Sequence, residues 1–243
     1  MTALVAAAGS FAAATRTLRL AHRGDWRRAP ENTLPALLAA LAVPACDGLE
    51  FDVRAAADGV PVLHHDETLE RVQGRPDRVA DLPAAELEAF GVPTLAAVLA
   101  AVPRSAFLDV ELKGDPGVEA VVEVLAGGRG PSLDGAVVSS FEPVTLAAVR
   151  TVAPGWPCWL NAEDLAPPTI AVARGLGCRG ISVEWRAIDA RSIARARDAG
   201  VDVAAWTVRR RATFDRLSRL GVTAVCVEAA ALDGDVAAGP SRS

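Results

Sequence analysis

Short apolar runs alternate with segments of helical hydrophobic spacing along most of the chain. Apolar runs of this length, bounded by glycine, proline or aspartate, are typical of buried β-strands. Eight such runs predict strands at residues 18–22, 48–53, 106–112, 136–140, 157–161, 180–184, 201–208 and 222–227. Seven intervening segments repeat apolar residues at helical spacing, and they cover residues 33–43, 93–102, 117–127, 142–152, 170–177, 190–200 and 211–221.

Several of these helical segments end in glycine, which readily takes the left-handed conformation that follows a helix. The alternation of strand and helix predicts an α/β protein with a parallel sheet. Eight strands with connecting helices predict a single closed (β/α)8 barrel of the TIM type. An open, doubly wound sheet is the alternative, but no predicted strand leads into a glycine-rich phosphate loop at the start of a helix.

One apolar run, VPVLHHD at residues 60–66, does not fit this alternation. It follows the strand at 48–53 too closely for the crossover that a parallel neighbour needs. Asp58 and Gly59 instead mark a tight reversal, which predicts an extra antiparallel strand paired with the end of the second barrel strand.

The predicted hairpin brings a pair of histidines back towards two carboxylates on the second strand, Glu50 and Asp52. A third histidine, His22, ends the first strand. All three histidines of the chain, His22, His64 and His65, are therefore expected at one mouth of the barrel.

Acidic residues recur at the ends of neighbouring strands. Glu50 and Asp52 are two apart on one strand, so both side chains face the same side, and Glu111 repeats the pattern with Asp109 before it. Inward carboxylates repel one another unless a cation neutralises them, and no basic residue recurs regularly opposite these acids in the sequence. We therefore predict that Glu50, Asp52 and Glu111 hold one hard divalent cation, whereas solvated strand-end charges are the alternative. Asp109 either supports this site from behind or lies nearer the bottom of the barrel.

Two cations are expected beside these acids: Arg23 at the end of the first strand and Lys113 just after Glu111. Guanidinium and ammonium groups bind phosphate oxygens, and imidazoles transfer protons near neutral pH. Each cation alone is weak evidence, because most are simply solvated. Together with a metal and two histidines they predict a site for a phosphate ester.

Composition restricts the remaining possibilities. The chain has 243 residues, a formal charge of −5 and 51% hydrophobic residues, which predicts one large core and argues against non-specific nucleic-acid binding. The four cysteines have no CxxC spacing, which favours reduced thiols and a cytoplasmic protein. No apolar stretch is long enough to span a bilayer. The predicted organisation is a flexible extension at 1–16, a barrel domain at 17–232 and a flexible tail at 233–243; export by a weak N-terminal signal is the alternative to a cytoplasmic location.

The motifs AHRGDWRRAPENT at 21–33, LEFDVRAAADGVPVLHHDETLERV at 49–72 and LDVELK at 108–113 carry a family resemblance. The chain resembles the glycerophosphodiester phosphodiesterases over roughly residues 18 to 228, and weaker matches follow in the expected order. The resemblance implies a barrel enzyme that hydrolyses a small-molecule phosphodiester to an alcohol and glycerol 3-phosphate with one Mg²⁺ or Ca²⁺ ion.

Carried onto matching positions, the resemblance implies a role for eight residues. The acid–base pair would be His22 and His65, without a decision as to which is the acid; Glu50, Asp52 and Glu111 would hold the metal; Arg23, Lys113 and Trp206 would contact the substrate. Alternation turns His64 to the opposite face, where we expect a packing role. Trp206 is expected to wall the glycerol pocket, with a buried barrel tryptophan as the alternative. Asp66 would fix the tautomer of a histidine or cap a helix.

Some positions depart from the family pattern. Arg209 stands where the family has asparagine, and we expect it to be a solvated helix start; Glu228 replaces an aspartate, which weakens a role for that acid. The loop residues Glu31 and Asn32 are expected to orient His22 or a phosphate ligand. The insertion over the mouth is short, which puts the substrate preference of relatives with a longer lid in doubt.

Three rival functions remain open. A lysophospholipase D would use the same centre on a lipid phosphodiester, and a catalytically idle barrel would bind a phosphate ligand without hydrolysis. A cofactor-dependent barrel enzyme would need a cofactor motif that the sequence does not contain. The attacking group, either water or the substrate's own glycerol hydroxyl, is not decided by sequence.

Overall fold

The computed structural model describes residues 16–234, so most of the two predicted terminal extensions lies outside the described residues. The strands in this part are β1 Leu18–His22, β2 Gly48–Ala55, β3 Pro61–Leu63, β4 Phe107–Leu112, β5 Ala136–Ser140, β6 Cys158–Ala162, β7 Gly180–Glu184, β8 Asp202–Val208 and β9 Ala224–Val227. The helices are α1 Leu34–Leu41, α2 Glu70–Gln73, α3 Ala84–Ala89, α4 Leu95–Ala101, α5 Val118–Arg129, α6 Pro143–Val152, α7 Pro167–Gly175, α8 Ala190–Asp198, α9 Arg211–Leu220 and α10 Ala230–Asp233. Two short 3₁₀ turns lie at Val79–Asp81 and Trp185–Ala187.

Eight parallel strands close into a barrel, as the alternation of elements predicts. The ring order is β1-β9-β8-β7-β6-β5-β4-β2, and β1 pairs with β2 to close it. β3 lies outside the ring and pairs antiparallel with β2, with Val53 opposite Leu63. The predicted TIM-type fold and its extra hairpin strand are therefore both confirmed.

The inside of the barrel changes in character along its length. Its lower part is an apolar cluster that includes Leu20, Phe107 and Trp159, whereas buried acids and hydroxyl groups occupy the upper part. A larger apolar layer lies between the strands and the surrounding helices. Burial of each large aliphatic side chain stabilises this layer by about 2 kcal/mol, so the polar upper end rests on a rigid support.

Local capping explains where several helices begin and end. The hydroxyl groups of Thr33 and Thr94 accept hydrogen bonds from the first turns of α1 and α4. Asp189 and Ser192 form a capping box at the start of α8. Gly221 ends α9 in the left-handed conformation, as the glycine pattern predicts.

The predicted end of one helix is wrong. The sequence places the end near Gly127, but α5 continues through Gly128 to Arg129. The Arg129 guanidinium is buried and donates hydrogen bonds to the carbonyls of Arg104 and Ala106, at 3.0 and 2.8 Å. A Cβ atom on Gly128 would lie 2.8 Å from the Leu99 side chain, so glycine here permits close helix packing.

Residues 66–92 form the short insertion over the barrel mouth. It contains α2, α3 and one 3₁₀ turn, and it has a small apolar cluster of its own built on Leu69, Val79, Leu87 and Val92.

Candidate active site

A cavity of about 180 Å³ opens at the carboxyl ends of the barrel strands. Seven of the eight predicted site residues line it: His22, Arg23, Glu50, His65, Glu111, Lys113 and Trp206. Asp52, the eighth, is completely buried and forms ion pairs with Arg23 and Lys113. Residues that are far apart in sequence therefore meet at one place, because parallel strands end at the same edge.

Three carboxylates form an acidic cluster at the base of the cavity. One oxygen from each of Glu50, Asp52 and Glu111 lies within 4.8 Å of the other two. Strand register produces this arrangement, since β2 and β4 pair with Asp52 opposite Glu111 and Glu50 opposite Asp109. The side chains then project to the same side of neighbouring strands.

Burial and mutual repulsion oppose the negative charge of this cluster. Burial and the neighbouring acids raise the pKa of Glu50 well above its ordinary value, and they raise the pKa of Glu111 as well. Burial acts in the same direction on Asp52, but Arg23 and Lys113 outweigh it and lower the pKa of that carboxyl. The cluster is a place where additional positive charge is favourable.

The donor atoms fit a hard divalent cation. Glu50 Oε2 is buried and has no hydrogen-bond donor among residues 16–234. Three buried carboxylates offer the oxygen ligands that Mg²⁺ and Ca²⁺ prefer. The cluster thus has both the charge and the free lone pairs for such an ion.

Arg23 and Lys113, the two cations expected beside the acids, form ion pairs with them. Arg23 Nε lies 2.9 Å from Asp52 Oδ2, and Lys113 Nζ lies 2.5 Å from Glu111 Oε1 and 3.3 Å from Asp52 Oδ1. Arg23 follows β1, which pairs with β2, and Lys113 lies two residues after Glu111, so both reach the acids from adjacent strand ends. These cations neutralise part of the negative charge of the cluster, and both line the cavity.

The loop after β1 orients the acids and Arg23 rather than His22. Asn32 Nδ2 donates a 2.8 Å hydrogen bond to Asp52 Oδ2, and Asn32 Oδ1 accepts from the Asp52 amide at 3.3 Å. Glu31 accepts a hydrogen bond from Arg23 at 3.0 Å. Of the two expected partners of this loop, His22 or a phosphate ligand, the structure shows contact with Arg23, the expected phosphate ligand. Arg23 and Asn32 both adopt left-handed backbone conformations here.

His22 projects from the end of β1 between two carboxylates. Its Nδ1 lies 2.6 Å from Glu228 Oε1, and its Nε2 lies 3.8 Å from Glu50 Oε2. The register of β1 and β2 places His22 opposite Glu50. One ring nitrogen is thereby bound to a protein acceptor while the other faces the cavity.

His65 reaches the same cavity from the hairpin. Its Nδ1 lies 2.6 Å from Asp66 Oδ1, so Asp66 contacts a histidine as one of its two predicted roles requires. Burial, followed by the positive charges of Arg23 and Lys113, lowers the pKa of His65 despite nearby Asp52. His65 is therefore mainly neutral near pH 7 in this arrangement.

His64 turns away from the cavity, as alternation predicts. It is buried, with Nδ1 2.9 Å from the carbonyl of Asp66 and Nε2 3.1 Å from Gln73 Oε1. Both ring nitrogens are bound to the protein, so His64 fastens the insertion to the hairpin.

An aromatic and polar wall closes the other side of the cavity. Phe141 and Trp206 pack edge to face with ring centroids 5.5 Å apart, and Trp206 Nε1 donates to the Ser182 carbonyl at 3.0 Å. Asn161 is buried in this wall, and its Oδ1 has no hydrogen-bond partner within the described part of the chain. Sequence reasoning missed Phe141 and Asn161, although both follow or end predicted strands, where barrel sites are built.

Asp109 lies beneath the acidic cluster. Ser139 Oγ donates a 2.6 Å hydrogen bond to Asp109 Oδ1. Burial, with a contribution from Glu111, raises the pKa of Asp109 to about 7. Of the two positions considered for this residue, the structure places it behind the cluster and not at the bottom of the barrel.

Two positions that depart from the expected pattern belong to this site. Arg209 is not simply solvated, because its Nε donates to Glu228 Oε2 at 2.6 Å. Glu228 is buried against His22, a contact that the sequence did not predict. Local sequence predicts neither contact, because the first depends on the pairing of β8 with β9 and the second on the pairing of β9 with β1.

Comparisons with known proteins match nearly the whole described chain. The sequence model of the Glycerophosphoryl diester phosphodiesterase family matches residues 22–232. A glycerophosphodiester phosphodiesterase of Caldanaerobacter subterraneus subsp. tengcongensis is 27% identical over 231 residues, covering 88% of this chain and 94% of that protein.

Solved structures show the same architecture. A phosphodiesterase from Oleispira antarctica, in complex with the product sn-glycerol-3-phosphate, matches with 26% identity and a TM-score of 0.78, covering 87% of this chain and 93% of that one. A glycerophosphodiester phosphodiesterase from Thermotoga maritima has a TM-score of 0.77 at 22% identity, covering 89% and 96%, and supports the fold alone.

Proposed function

We propose that this chain, which belongs to the glycerophosphoryl diester phosphodiesterase family, hydrolyses glycerophosphodiesters to an alcohol and glycerol 3-phosphate. As a member of this family it is a phosphoric diester hydrolase. The observation that carries the specific proposal is the cavity itself, in which an acidic cluster, two cations and two imidazoles face one volume of about 180 Å³.

Phosphate binding is assigned to the base of the cavity. Glu50, Asp52 and Glu111 would hold one Mg²⁺ or Ca²⁺ ion, which would neutralise the negative phosphoryl oxygens. Arg23 and Lys113, whose side chains are only 16% and 15% exposed, would donate hydrogen bonds to the same oxygens. Trp206 packs against the glycerol portion, and the free amide of Asn161 hydrogen-bonds a substrate hydroxyl.

Proton transfer is assigned to His22 and His65. Each ring uses Nδ1 to contact a carboxylate, which leaves Nε2 to face the substrate. One histidine removes a proton from the attacking hydroxyl, whether from water or from the substrate glycerol, and the other protonates the departing alcohol. The two rings approach the cavity from different strands, so they can act on opposite sides of one phosphorus atom.

A lysophospholipid is a second candidate substrate. Three exposed apolar side chains follow the carboxyl ends of strands and lie at this face of the barrel: Trp26, Phe141 and Val144. Such side chains could contact an acyl chain while the phosphodiester occupies the same cavity.

We also assign the protein to the cytoplasm, on the basis of its four unpaired cysteines.

An assay with purified protein tests the activity. Glycerophosphocholine, glycerophosphoethanolamine and a lysophospholipid are each incubated with Mg²⁺, Ca²⁺ or EDTA, and released glycerol 3-phosphate and alcohol are measured. We expect cation-dependent hydrolysis that EDTA abolishes. A failure to hydrolyse any of the substrates with either ion would instead support the idle phosphate-binding barrel.

Histidine variants test the proton-transfer roles. His22→Ala and His65→Ala should each lower kcat by roughly 10²- to 10⁴-fold, the range for removal of a general acid or base. His64→Gln is the matched control, because His64 faces away from the cavity. Equal losses in all three variants would contradict the assignment, since they would point to lost stability.

A further inference from the structure

We propose that Glu228 is a positioning residue that fixes the tautomer of His22, and that Arg209 fixes the orientation of Glu228. The inference rests on the proposed function for its consequence in catalysis, but the tautomer itself can be measured without substrate. It concerns the two positions that the proposed mechanism leaves unused.

Both oxygens of Glu228 contact nitrogen atoms of neighbouring side chains. Oε1 lies 2.6 Å from His22 Nδ1, and Oε2 accepts a 2.6 Å hydrogen bond from Arg209 Nε. The Glu228 amide also donates to the Val208 carbonyl at 2.9 Å, which holds its backbone at the end of β8. The carboxylate therefore has one orientation, determined by partners on two different strands.

A carboxylate accepts hydrogen bonds and does not donate them. Burial opposes the charge of Glu228, but the contacts with His22 and Arg209 lower the pKa of this carboxyl to about 2. Glu228 is thus an acceptor at neutral pH, and His22 must carry its proton on Nδ1 to make the contact. In its neutral form the ring then presents the Nε2 lone pair to the cavity.

Arg209 lies at the rim, yet its position is well defined. Its side chain is 72% exposed, whereas that of Glu228 is 7% exposed, so the guanidinium covers the carboxylate from the solvent side. The Arg209 carbonyl accepts from the Ala231 amide at 3.2 Å, which ties this residue to α10. Arg209 is only a donor, so it requires an acceptor atom at Oε2.

This requirement makes the consequence of one substitution predictable. In Glu228→Gln the side-chain oxygen should turn to Arg209, and the amide NH₂ should face His22. Since the amide donates, His22 would then accept at Nδ1 and carry its proton on Nε2. The wrong ring nitrogen would face the substrate, although the size of the side chain is unchanged.

Nuclear magnetic resonance of the histidine ring nitrogens tests the tautomer directly. Two-bond ¹H–¹⁵N correlations are recorded for the complete protein with EDTA and again with Mg²⁺, and His22 is assigned from the signal missing in His22→Gln. We expect the Nδ1–H form in the wild type and the Nε2–H form in Glu228→Gln. Persistence of the Nδ1–H form in Glu228→Gln would overturn the proposal.

Kinetics test the catalytic consequence. Glu228→Gln should lower kcat by about 100-fold or more with KM little changed, because an incorrect tautomer affects the reaction and not the binding of substrate. Glu228→Asp keeps an acceptor and should retain more activity. A wild-type kcat in Glu228→Gln, or a fall in Glu228→Asp as large as that in Glu228→Gln, would contradict the proposal.

A double variant separates the role of Arg209 from general damage. In Glu228→Gln with Arg209→Met the glutamine is free to turn its oxygen to His22, so both the Nδ1–H signal and part of kcat should return. Arg210→Met is the matched control, since it removes a neighbouring exposed charge, and it should restore neither. No recovery in the double variant would refute the role of Arg209. If the wild type hydrolyses no substrate, the proposed function fails, while the tautomer measurement still decides this inference.

Discussion

Each histidine of the chain directs Nδ1 to an oxygen atom of the protein, but the three rings differ in the contacts of Nε2. His22 contacts Glu228 and His65 contacts Asp66, and both rings line the cavity. His64 uses Nε2 as well, in a contact with Gln73, so it has no nitrogen left for a substrate. The chemistry available to each ring is therefore set by its neighbours and not by the residue type.

Asn32 orients one member of the acidic cluster, because it holds Asp52 through two hydrogen bonds. Asn32→Ala should weaken Mg²⁺ or Ca²⁺ binding by about 10- to 100-fold, the usual effect of removing a group that orients a metal ligand. Isothermal titration calorimetry measures the affinity. Asn161→Ala is the control and should bind the ion as tightly as the wild type, since Asn161 lies in the opposite wall. Unchanged affinity in Asn32→Ala would refute the role of Asn32 in positioning Asp52.

At the scale of secondary-structure elements, ion pairs fasten the short insertion to the barrel mouth. Arg71 on α2 donates to Glu31 at 2.7 Å and to Asp66 at 2.6 Å. Glu31 in turn contacts Arg23, and Asp66 contacts His65. One arginine thus links the loop after β1 with the hairpin, so two parts of the site are held at a fixed separation.

The Asp66 contacts predict a pH dependence of stability. Burial raises its pKa, but Arg71 and His65 together outweigh this and lower the pKa of Asp66 to about 2, below the value in the unfolded chain. A lowered folded-state pKa stabilises the protein above about pH 4, and this stability is lost as the pH falls towards 2. Asp66→Asn should therefore lower the free energy of unfolding at neutral pH by on the order of 1 kcal/mol, and the difference should vanish near pH 2. Urea denaturation at several pH values measures this difference. A difference that is constant with pH would show that charge is not the cause.

A second element-scale prediction concerns α5. Arg129→Met removes the donors for the carbonyls of Arg104 and Ala106 and leaves these groups buried without partners. We expect the free energy of unfolding to fall by about 3 kcal/mol. Arg174→Met, on the exposed face of α7, is the control and should change stability little. Urea denaturation of both variants makes the comparison, and equal stability of the two would contradict the prediction.

The whole molecule combines an apolar lower barrel with a charged upper end. The apolar cluster and the surrounding helical layer stabilise the fold, whereas the buried acids oppose it in the absence of a cation. None of the helices in residues 16–234 is long and apolar enough to cross a membrane. We expect a bound cation to stabilise this charged end, because the buried acids repel one another without it.

A thermal measurement tests this dependence. At about 100 times the dissociation constant, Mg²⁺ or Ca²⁺ should add about 2.7 kcal/mol and raise Tm by roughly 5 °C or more, and EDTA should reverse the shift. Glu50→Gln should abolish the shift. Because burial and nearby acids raise the pKa of Glu50, the metal-free variant should also unfold at a higher temperature than the metal-free wild type. A metal-free variant less stable than the wild type would contradict the repulsion argument.

Local sequence was sufficient for the elements and for part of the site. Hydrophobic periodicity located the eight barrel strands, and the pair Asp58-Gly59 with the distance along the chain located the hairpin. Alternation then separated His65 from His64. These features depend on neighbouring residues and on repeating backbone geometry, so they can be predicted from the sequence alone.

Contacts that depend on ring closure were decided only by the tertiary structure. Glu228 and His22 are 206 positions apart and meet because β9 closes against β1. The ion pairs of Asp52 with Arg23 and Lys113 likewise join neighbouring strands and depend on their register. Hydrophobic periodicity determines which face a side chain takes, but the partner across that face depends on which strands become neighbours, and only the folded barrel determines that.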